Sequence, residues 1–342
     1  MARLRLFSLL LLGTLSLAAC RGAGLIPTPA APAVAPPAAT GLLSTPTPAV
    51  AAEPATIPAA TLPPTAIQPA VISTATEPPT SPLIPSDIPA PTPCAEPGRI
   101  EHGNVDSAIA GESMRYRVYL PPCYAIDGHA YPTLYMFGGN IHDDAIWDTL
   151  GLDEDAEAAI AGGDIPPLLI VMPDNGWLAN TTTSGPTSYE GFVLDELIPH
   201  IEATYCAWPV AAGRAVGGIS RGGYWSLMMA FRRPDLFVSV GGHSPALIDS
   251  YAGPLEDPVD TGATNDLGEL RIWVDIGERD PYLRNAQPLH EALSAAGVPH
   301  EWRVNAGTHD EAYWRANLES YLAWYSDGWR IDRSALPACD PP

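Results

Sequence analysis

The fold of this chain is decided by one stretch, Ala215-Val216-Gly217-Gly218-Ile219-Ser220-Arg221-Gly222-Gly223-Tyr224. It predicts a short apolar strand, a Gly-x-Ser-x-Gly turn and a helix over about Gly222 to Arg233. The glycines around the serine permit a sharp turn that larger side chains would block. A serine placed in this way between strand and helix is typical of a nucleophile elbow. Ser220 is therefore predicted to be a nucleophile at a helix N-terminus, where developing negative charge is favoured.

The chain around this turn alternates apolar strands with helical segments. Strands are predicted at about Leu236–Gly241, Leu270–Ile276 and His300–Asn305, with an earlier one at Thr133–Phe137. Such alternation is typical of a parallel sheet that is flanked by helices on both faces. Together with the serine turn, it predicts a protein of the α/β class with a mostly parallel sheet and the α/β-hydrolase fold.

A serine hydroxyl needs a general base, and the base needs an acidic partner that orients it. In the α/β-hydrolase arrangement, the acid and then the histidine follow the serine along the chain, each after the end of a strand. His309 is the predicted base because it directly follows the last strand, in a glycine-containing loop. Asp280 is the predicted acid because it lies in a loop beyond a strand, whereas Asp275 falls inside that strand. Glu278, in the same loop, remains the alternative.

Acyl transfer also needs two hydrogen-bond donors for the oxyanion that forms on the substrate. One is predicted to be the backbone N–H of Arg221, which follows the nucleophile. The other is predicted in the loop after Thr133–Phe137, which opens into two glycines and Asn140. Because glycine lets the backbone approach a substrate closely, Gly139 is the expected donor. Asn140 is the alternative.

Aromatic side chains in loops and at helix starts are expected to line a substrate pocket near these residues. The candidates are Trp147, Trp177, Trp225, His243 and Tyr282. His243 also follows a strand, but it precedes every candidate acid and is therefore not the predicted base. The sequence has no zinc-ligand or calcium-loop spacing, so that neither a metal nor another cofactor is expected.

Taken together, these motifs resemble the esterase D, or putative-esterase, family of α/β-hydrolases. The resemblance runs from about Arg115 to Trp324 and is carried by Tyr119-Leu120-Pro121-Pro122, residues 131–139, 166–174 and 218–223, Gly307-Thr308-His309-Asp310 and Tyr313-Trp314. Relatives include feruloyl and acetylxylan esterases, siderophore esterases, S-formylglutathione hydrolases and mycolyltransferases. The resemblance implies the same three catalytic residues. One departure is Phe137, since the family often has histidine before the first glycine of the oxyanion loop.

The predicted function is that of a serine carboxylesterase, in which Ser220 forms an acyl-enzyme and water releases the acyl group. The expected partner is a small-molecule or glycan-linked ester, whose acyl and alcohol groups the motifs do not identify. One alternative is an acyltransferase that passes the acyl group to a cell-envelope sugar, as the mycolyltransferase relatives do. The other is a non-catalytic surface lipoprotein.

Residues 1–20 resemble a bacterial lipoprotein signal peptide. Two arginines precede an apolar run from Leu6 to Ala19, which is too short to span a membrane comfortably. The run ends in Leu17-Ala18-Ala19-Cys20, which is similar to a lipobox, where the cysteine is lipidated and becomes the mature N-terminus. An ordinary secretory signal is the alternative. The predicted location is extracytoplasmic, with a lipid anchor on Cys20.

The rest of the chain divides by composition. Residues 21–93 are rich in Pro, Ala and Thr and bury too little apolar surface to fold, so they are predicted to be a disordered tether. Residues 94–342 are predicted to be the α/β-hydrolase esterase domain. The net charge of −22 lies mostly in this domain. An acidic surface disfavours nucleic acid and anionic lipid, which leaves the lipid anchor as the expected membrane contact.

Four cysteines remain once Cys20 is set aside, namely Cys94, Cys123, Cys206 and Cys339. An even number in an exported chain predicts two disulfides, for which three connectivities are possible. Cys94 and Cys339 lie at the two ends of the predicted domain, where a bridge between them would hold the termini together. The favoured pairing is therefore Cys94–Cys339 with Cys123–Cys206.

Overall fold

The structure is a computed structural model that describes residues 94–182, 184–248, 252–329 and 332–339. The predicted signal peptide 1–20, its lipidation site Cys20 and the predicted tether 21–93 lie outside these residues. The described strands are β1 (Arg99–Ser107), β2 (Glu112–Leu120), β3 (Thr133–Phe137), β4 (Leu169–Pro173), β5 (Arg214–Ile219), β6 (Ser239–His243), β7 (Arg271–Gly277) and β8 (Glu301–Asn305).

These strands form one sheet in the order β1-β2-β4-β3-β5-β6-β7-β8. β1 and β2 are antiparallel to each other, and β2 is antiparallel to β4. The remaining neighbours are parallel, so the strands from β3 to β8 all end at one edge of the sheet. The structure confirms the predicted α/β class and the mostly parallel sheet. Residues that follow the strands meet at that edge, where ligands bind in open α/β sheets.

The α-helices within the described ranges are α1 (Ile146–Leu150), α2 (Leu152–Gly162), α3 (Leu178–Thr181), α4 (Tyr189–Gly191), α5 (Ile198–Thr204), α6 (Arg221–Arg232), α7 (Pro258–Thr264), α8 (Leu283–Ala296), α9 (Glu311–Arg315) and α10 (Leu318–Asp327). A π-helical stretch over Phe192–Leu197 joins α4 to α5. None of these helices combines the length and the apolar character that crossing a membrane requires.

Apolar side chains cover both faces of the sheet. In β3, Leu134 and Met136 pack into the core on one face, whereas Tyr135 and Phe137 pack into the core on the other. This follows from the alternation of side chains along a strand. A strand that is buried on both faces is a continuous apolar run, as in the sequence here. α6, which follows the serine turn, is buried along nearly its whole length.

The chain after His309 forms two helices, α9 and α10, which are separated by Ala316 and Asn317. The side-chain amide of Asn317 donates to the carbonyl oxygen of Tyr313 at 2.7 Å. A side chain that bonds the backbone in this way competes with the regular helical hydrogen bonds. The chain therefore turns at this point, and α9 and α10 pack separately.

The disulfide pairing differs from the favoured one. The bonds are Cys94–Cys123 and Cys206–Cys339, so the predicted pairs Cys94–Cys339 and Cys123–Cys206 are wrong. Both ends of the described domain are held by a disulfide, but each end is bonded to an internal segment and not to the other end.

Backbone contacts at the edge where the parallel strands begin explain this pairing. The N–H of Cys123 donates to the carbonyl oxygen of Glu96, which holds the first described residues beside the segment after β2. Residues 128–131 bond to Cys339 and to Cys206. That segment therefore brings the last two cysteines together. Contacts between segments so distant in sequence are set by the tertiary fold and leave no local signal.

Replacing both Cys206 and Cys339 by serine should destabilise the domain more than replacing Cys94 and Cys123. The two bonds span sequence separations of 133 and 29 residues. A chain-entropy estimate gives upper values of about 5 and about 3.6 kcal/mol for the loss in free energy of unfolding. Urea denaturation followed by tryptophan fluorescence measures both losses. A greater loss for the Cys94–Cys123 pair would contradict this order.

Candidate active site

Ser220 lies in a sharp turn between β5 and α6. β5 ends at Ile219 and α6 begins at Arg221, while Ser220 itself has φ 56° and ψ −119°. A positive φ is uncommon outside glycine and occurs at strained functional positions. A Cβ added at Gly222 would lie 2.5 Å from the carbonyl oxygen of Phe137, so only glycine fits there. The structure thus has the strand, turn and helix that the Gly-x-Ser-x-Gly pattern predicts.

The structure brings the three predicted catalytic side chains together. Nε2 of His309 lies 2.9 Å from Oγ of Ser220, and Nδ1 of His309 lies 2.8 Å from Oδ2 of Asp280. If the imidazole carries its proton on Nδ1, that N–H donates a hydrogen bond to the carboxylate. Nε2 is then free to accept a hydrogen bond from the hydroxyl of Ser220. This geometry allows the imidazole to take the proton of Ser220 when the oxygen attacks a carbonyl carbon.

The loop after β7 fixes the carboxylate of Asp280. Its Oδ1 accepts from the backbone N–H of Tyr282 at 2.8 Å, and its side chain is fully shielded from solvent. This loop lies against the loop after β8, because the N–H of Arg279 donates to the carbonyl oxygen of Gly307 at 3.0 Å. The alternative acid, Glu278, has a side chain that is 52% exposed and pairs with Arg279. Glu278 is therefore not the partner of the histidine.

The two predicted oxyanion donors lie on either side of Ser220. Arg221 is the first residue of α6, and the first N–H groups of a helix are not used by its internal hydrogen bonds. Gly139 lies so close that a Cβ added there would be 3.2 Å from Cβ of Ser220. However, its N–H donates to Nδ1 of His142 at 3.0 Å. The sequence gives no signal for this bond, since His142 lies inside a loop and away from any strand end.

A buried asparagine binds the loop after β3, which carries Gly139 and is called the oxyanion loop below. Nδ2 of Asn175 donates to the carbonyl oxygens of Gly138 at 2.7 Å and Gly139 at 3.1 Å. Its Oδ1 accepts from the hydroxyl of Tyr189 at 3.0 Å, which fixes the orientation of the amide. The alternative donor, Asn140, is the next residue of the loop. The only sequence signal for Asn175 is its position shortly after β4, at the edge where strand ends meet.

The ring of His142 is half-buried beside Ser220. It meets Trp314 edge-on with ring centroids 5.8 Å apart, and Trp314 meets His309 in the same way at 5.2 Å. Burial lowers the pKa of His142, with a smaller contribution of the same sign from His309, while Glu311 and Asp143 oppose both. His142 is therefore neutral near pH 7. A neutral ring whose Nδ1 accepts a hydrogen bond carries its proton on Nε2.

A cavity of about 460 Å³ opens beside Ser220 and His309, within the size range of small-molecule sites. Its other lining residues are Gly139, Asn140, Ile141, His142, Asp310, Glu311, Ala312 and Trp314. Among these described residues there are two carboxylates and no arginine. In the described ranges, no group of three or more His, Cys, Asp or Glu side chains is arranged to hold a metal ion.

Three of the predicted pocket residues are buried in the core instead. Trp147, Trp225 and His243 have no exposed surface, so their prediction as pocket residues is wrong. Nε1 of Trp147 donates to the carbonyl oxygen of Phe137, and Nε1 of Trp225 donates to that of Ala179, each at 3.1 Å. Both indoles belong to the hydrophobic core and do not line the cavity.

The other two predicted pocket residues lie near the site but outside the wall of the cavity. The ring of Tyr282 packs against His309 with centroids 4.7 Å apart. Trp177 is 50% exposed. It directly precedes α3, and Nδ2 of Asn180 in that helix donates to the carbonyl oxygen of Asn140 at 3.1 Å. Contact of either aromatic ring with a substrate stays a prediction.

His243 belongs to a buried polar cluster next to the turn that carries Ser220. Its Nδ1 bonds Oδ1 of Asp275 at 2.6 Å, and its Nε2 bonds the hydroxyl of Tyr325 at 3.0 Å. Oδ2 of Asp275 accepts from Tyr313 at 2.6 Å and from Tyr321 at 3.0 Å. Burial, and secondly the charge of Asp275, raise the pKa of Tyr321 far above its usual value. The cluster is internally satisfied, as buried polar groups generally are.

A mostly parallel sheet, a serine on a strand-to-helix turn, and a histidine and an acid at the same sheet edge define the α/β-hydrolase class. The Putative esterase family model matches residues 107–325 of this chain. The chain belongs to this family, which confirms the resemblance found in the sequence motifs.

Individual relatives agree with this assignment. Esterase Rv1288 of Mycobacterium tuberculosis is 29% identical over 260 residues, which cover 62% of this chain and 56% of the relative. The chain therefore spans about half the length of that protein. A solved ferulic acid esterase has a TM-score of 0.63 at 23% identity, over 69% of this chain and all of that one. FphF, a fluorophosphonate-binding serine hydrolase of Staphylococcus aureus, has a TM-score of 0.59 at 18% identity. The match covers 67% of this chain and 99% of FphF. At such identities the structures show the shared fold.

Proposed function

We propose that this protein is an extracytoplasmic serine carboxylesterase with Ser220 as nucleophile, His309 as base and Asp280 as the orienting acid. The observation that carries the proposal is the continuous chain of hydrogen bonds from Asp280 through His309 to Ser220, at 2.8 and 2.9 Å. Membership of the Putative esterase family supports the same reaction.

The reaction proceeds in two steps. As Oγ of Ser220 attacks the ester carbonyl carbon, its proton passes to Nε2 of His309, and Asp280 stabilises the imidazolium. The oxyanion is held by the N–H groups of Arg221 and Gly139. When the tetrahedral intermediate collapses, His309 gives the proton to the leaving alcohol. Water then attacks the acyl-enzyme with His309 as base again, and the acid and free Ser220 are released.

The site contains the acid and base groups for this reaction but few groups that would select a particular ester. The cavity wall is partly apolar, through Ile141, Ala312 and Trp314, and carries the carboxylates of Asp310 and Glu311. Carboxylates repel an anionic substrate. A neutral ester such as p-nitrophenyl acetate is therefore the appropriate first substrate.

The test is the release of p-nitrophenol from p-nitrophenyl acetate by purified protein, with and without a sugar acceptor. Hydrolysis at the same rate without the sugar is expected for a carboxylesterase. Release of p-nitrophenol only in the presence of the sugar would support the acyltransferase alternative. No hydrolysis, together with no labelling by a fluorophosphonate probe, would support the non-catalytic alternative.

The location is proposed on two grounds. Disulfides are typical of proteins in oxidising compartments outside the cytoplasm, and the described domain has two. The lipobox-like end of residues 1–20 supports a lipid anchor on Cys20, with residues 21–93 as a tether. Several acyl chains would hold the protein firmly to a membrane. Mass spectrometry of the mature N-terminus tests the anchor, and an unlipidated terminus beyond Cys20 would contradict it.

A further inference from the structure

The oxyanion donor of the loop after β3 already has a partner within the chain. The N–H of Gly139 donates to Nδ1 of His142 at 3.0 Å, and the N–H of His142 donates back to the carbonyl oxygen of Gly139 at 3.1 Å. A substrate oxyanion needs the same N–H of Gly139. One N–H cannot serve both acceptors at full strength. The imidazole and the substrate oxygen therefore compete.

The position of the ring supports this competition. A Cβ added at Gly139 would lie 2.9 Å from Nδ1 of His142 and 3.2 Å from Cβ of Ser220. The imidazole and the nucleophile thus flank the same glycine. Both side chains line the same cavity, so the ring occupies space next to the serine where a carbonyl group must enter.

A single hydrogen bond holds the ring. It runs to Nδ1 of His142, Nε2 bonds no other described residue, and the ring also meets the edge of Trp314. The loop itself is held separately, through its carbonyl oxygens, by Nδ2 of Asn175. Displacing the imidazole therefore breaks one hydrogen bond and leaves the main support of the loop in place.

We propose that His142 is a displaceable plug of the oxyanion hole, whose Nδ1 occupies the N–H of Gly139 until the carbonyl oxygen of the substrate replaces it. This inference rests on the proposed esterase function. When a neutral substrate carbonyl binds, the N–H of Gly139 exchanges its hydrogen bond to Nδ1 of His142 for one of similar strength. When the oxyanion forms, the same N–H makes a stronger, charge-assisted hydrogen bond to it. The plug therefore weakens binding of the substrate more than it slows the chemical step.

The test compares His142→Ala, which removes the acceptor, with His142→Asn, whose Oδ1 can take the place of Nδ1. The measurements are KM and kcat for p-nitrophenyl acetate and Ki for butylboronic acid, which forms a tetrahedral adduct with a serine. In His142→Ala, we expect both KM and Ki to fall by about 2–10-fold, since one neutral hydrogen bond no longer has to be broken. We expect kcat to stay within about twofold, and His142→Asn to resemble the wild type.

His290→Ala is the matched control, because this histidine lies on α8 and does not line the cavity. It should leave KM, kcat and Ki unchanged. A rise in KM and Ki in His142→Ala, or a tenfold fall in kcat, would show that the bond positions the loop and would overturn the proposal. Unchanged constants would overturn it too. Failure of the proposed function has a different signature, namely a wild-type protein with neither hydrolysis nor boronate affinity.

Discussion

Ser220→Ala should abolish nearly all hydrolysis of p-nitrophenyl acetate, with kcat lower by a factor on the order of 10⁵–10⁶. Alanine has no atom that can form the acyl-enzyme, and the proposed base His309 loses the hydroxyl that lies 2.9 Å from its Nε2. The fold should remain intact, because the serine side chain contributes this single hydrogen bond and alanine has similar size. Steady-state kinetics and thermal unfolding measure the two effects separately.

The chain offers a matched control for this substitution. Ser244 also has a left-handed backbone, with φ 49°, and follows the neighbouring strand β6. Its Oγ is buried without a hydrogen-bond partner among the described residues. Ser244→Ala should therefore keep kcat within about threefold, since no catalytic hydrogen bond is lost. Wild-type turnover in Ser220→Ala would contradict the assignment of the nucleophile.

Asp280→Asn should reduce kcat by about 10⁴-fold with little change in stability. Asparagine is nearly the same size, and its carbonyl oxygen can keep the hydrogen bond that Oδ1 accepts from Tyr282. Its amide can no longer stabilise the imidazolium, and an amide N–H turned toward Nδ1 favours the wrong tautomer of His309. The loss should appear in kcat, and circular dichroism should show a native fold.

Glu278→Gln is the control for this second substitution. It changes a carboxylate of the same loop, but one that is 52% exposed and paired with Arg279. An exposed pair of this kind contributes little, and kcat should stay within about twofold. If Glu278→Gln lost activity while Asp280→Asn retained it, the acid of the site would have been assigned incorrectly.

The residues of the predicted triad could be located from the sequence because each has a local signal. Ser220 lies in a Gly-x-Ser-x-Gly turn, Asp280 follows a strand that is an apolar run, and His309 follows the last predicted strand in a glycine-containing loop. Parallel strands end at one edge, so three positions far apart in sequence are brought to one place. The central strands of the sheet follow from apolar runs, because strands that are buried on both faces leave a continuous pattern.

The remaining features depend on contacts between loops and helices, which leave no such pattern. The sequence predicts Trp147 and Trp225 in the pocket because they fall in loops or at helix starts, but both indoles are buried in the core. The disulfide pairing follows from backbone contacts of residues 128–131 with Cys206 and Cys339, and of Cys123 with Glu96. The bonds of His142 and Asn175 to the oxyanion loop also arise only once separate segments have packed together.

The disulfides have a practical consequence for how the protein can be handled. β2 is antiparallel to β4 and therefore ends where β4 begins, so Cys123 lies at the edge of the sheet opposite Ser220. Cys206, which precedes β5, lies at that edge as well. Cys94, which is bonded to Cys123, therefore lies on the side of the domain away from Ser220. A bead or sensor surface coupled ahead of residue 94 would leave the mouth of the cavity facing the surrounding solution, and an immobilised sample should retain the turnover of the free protein.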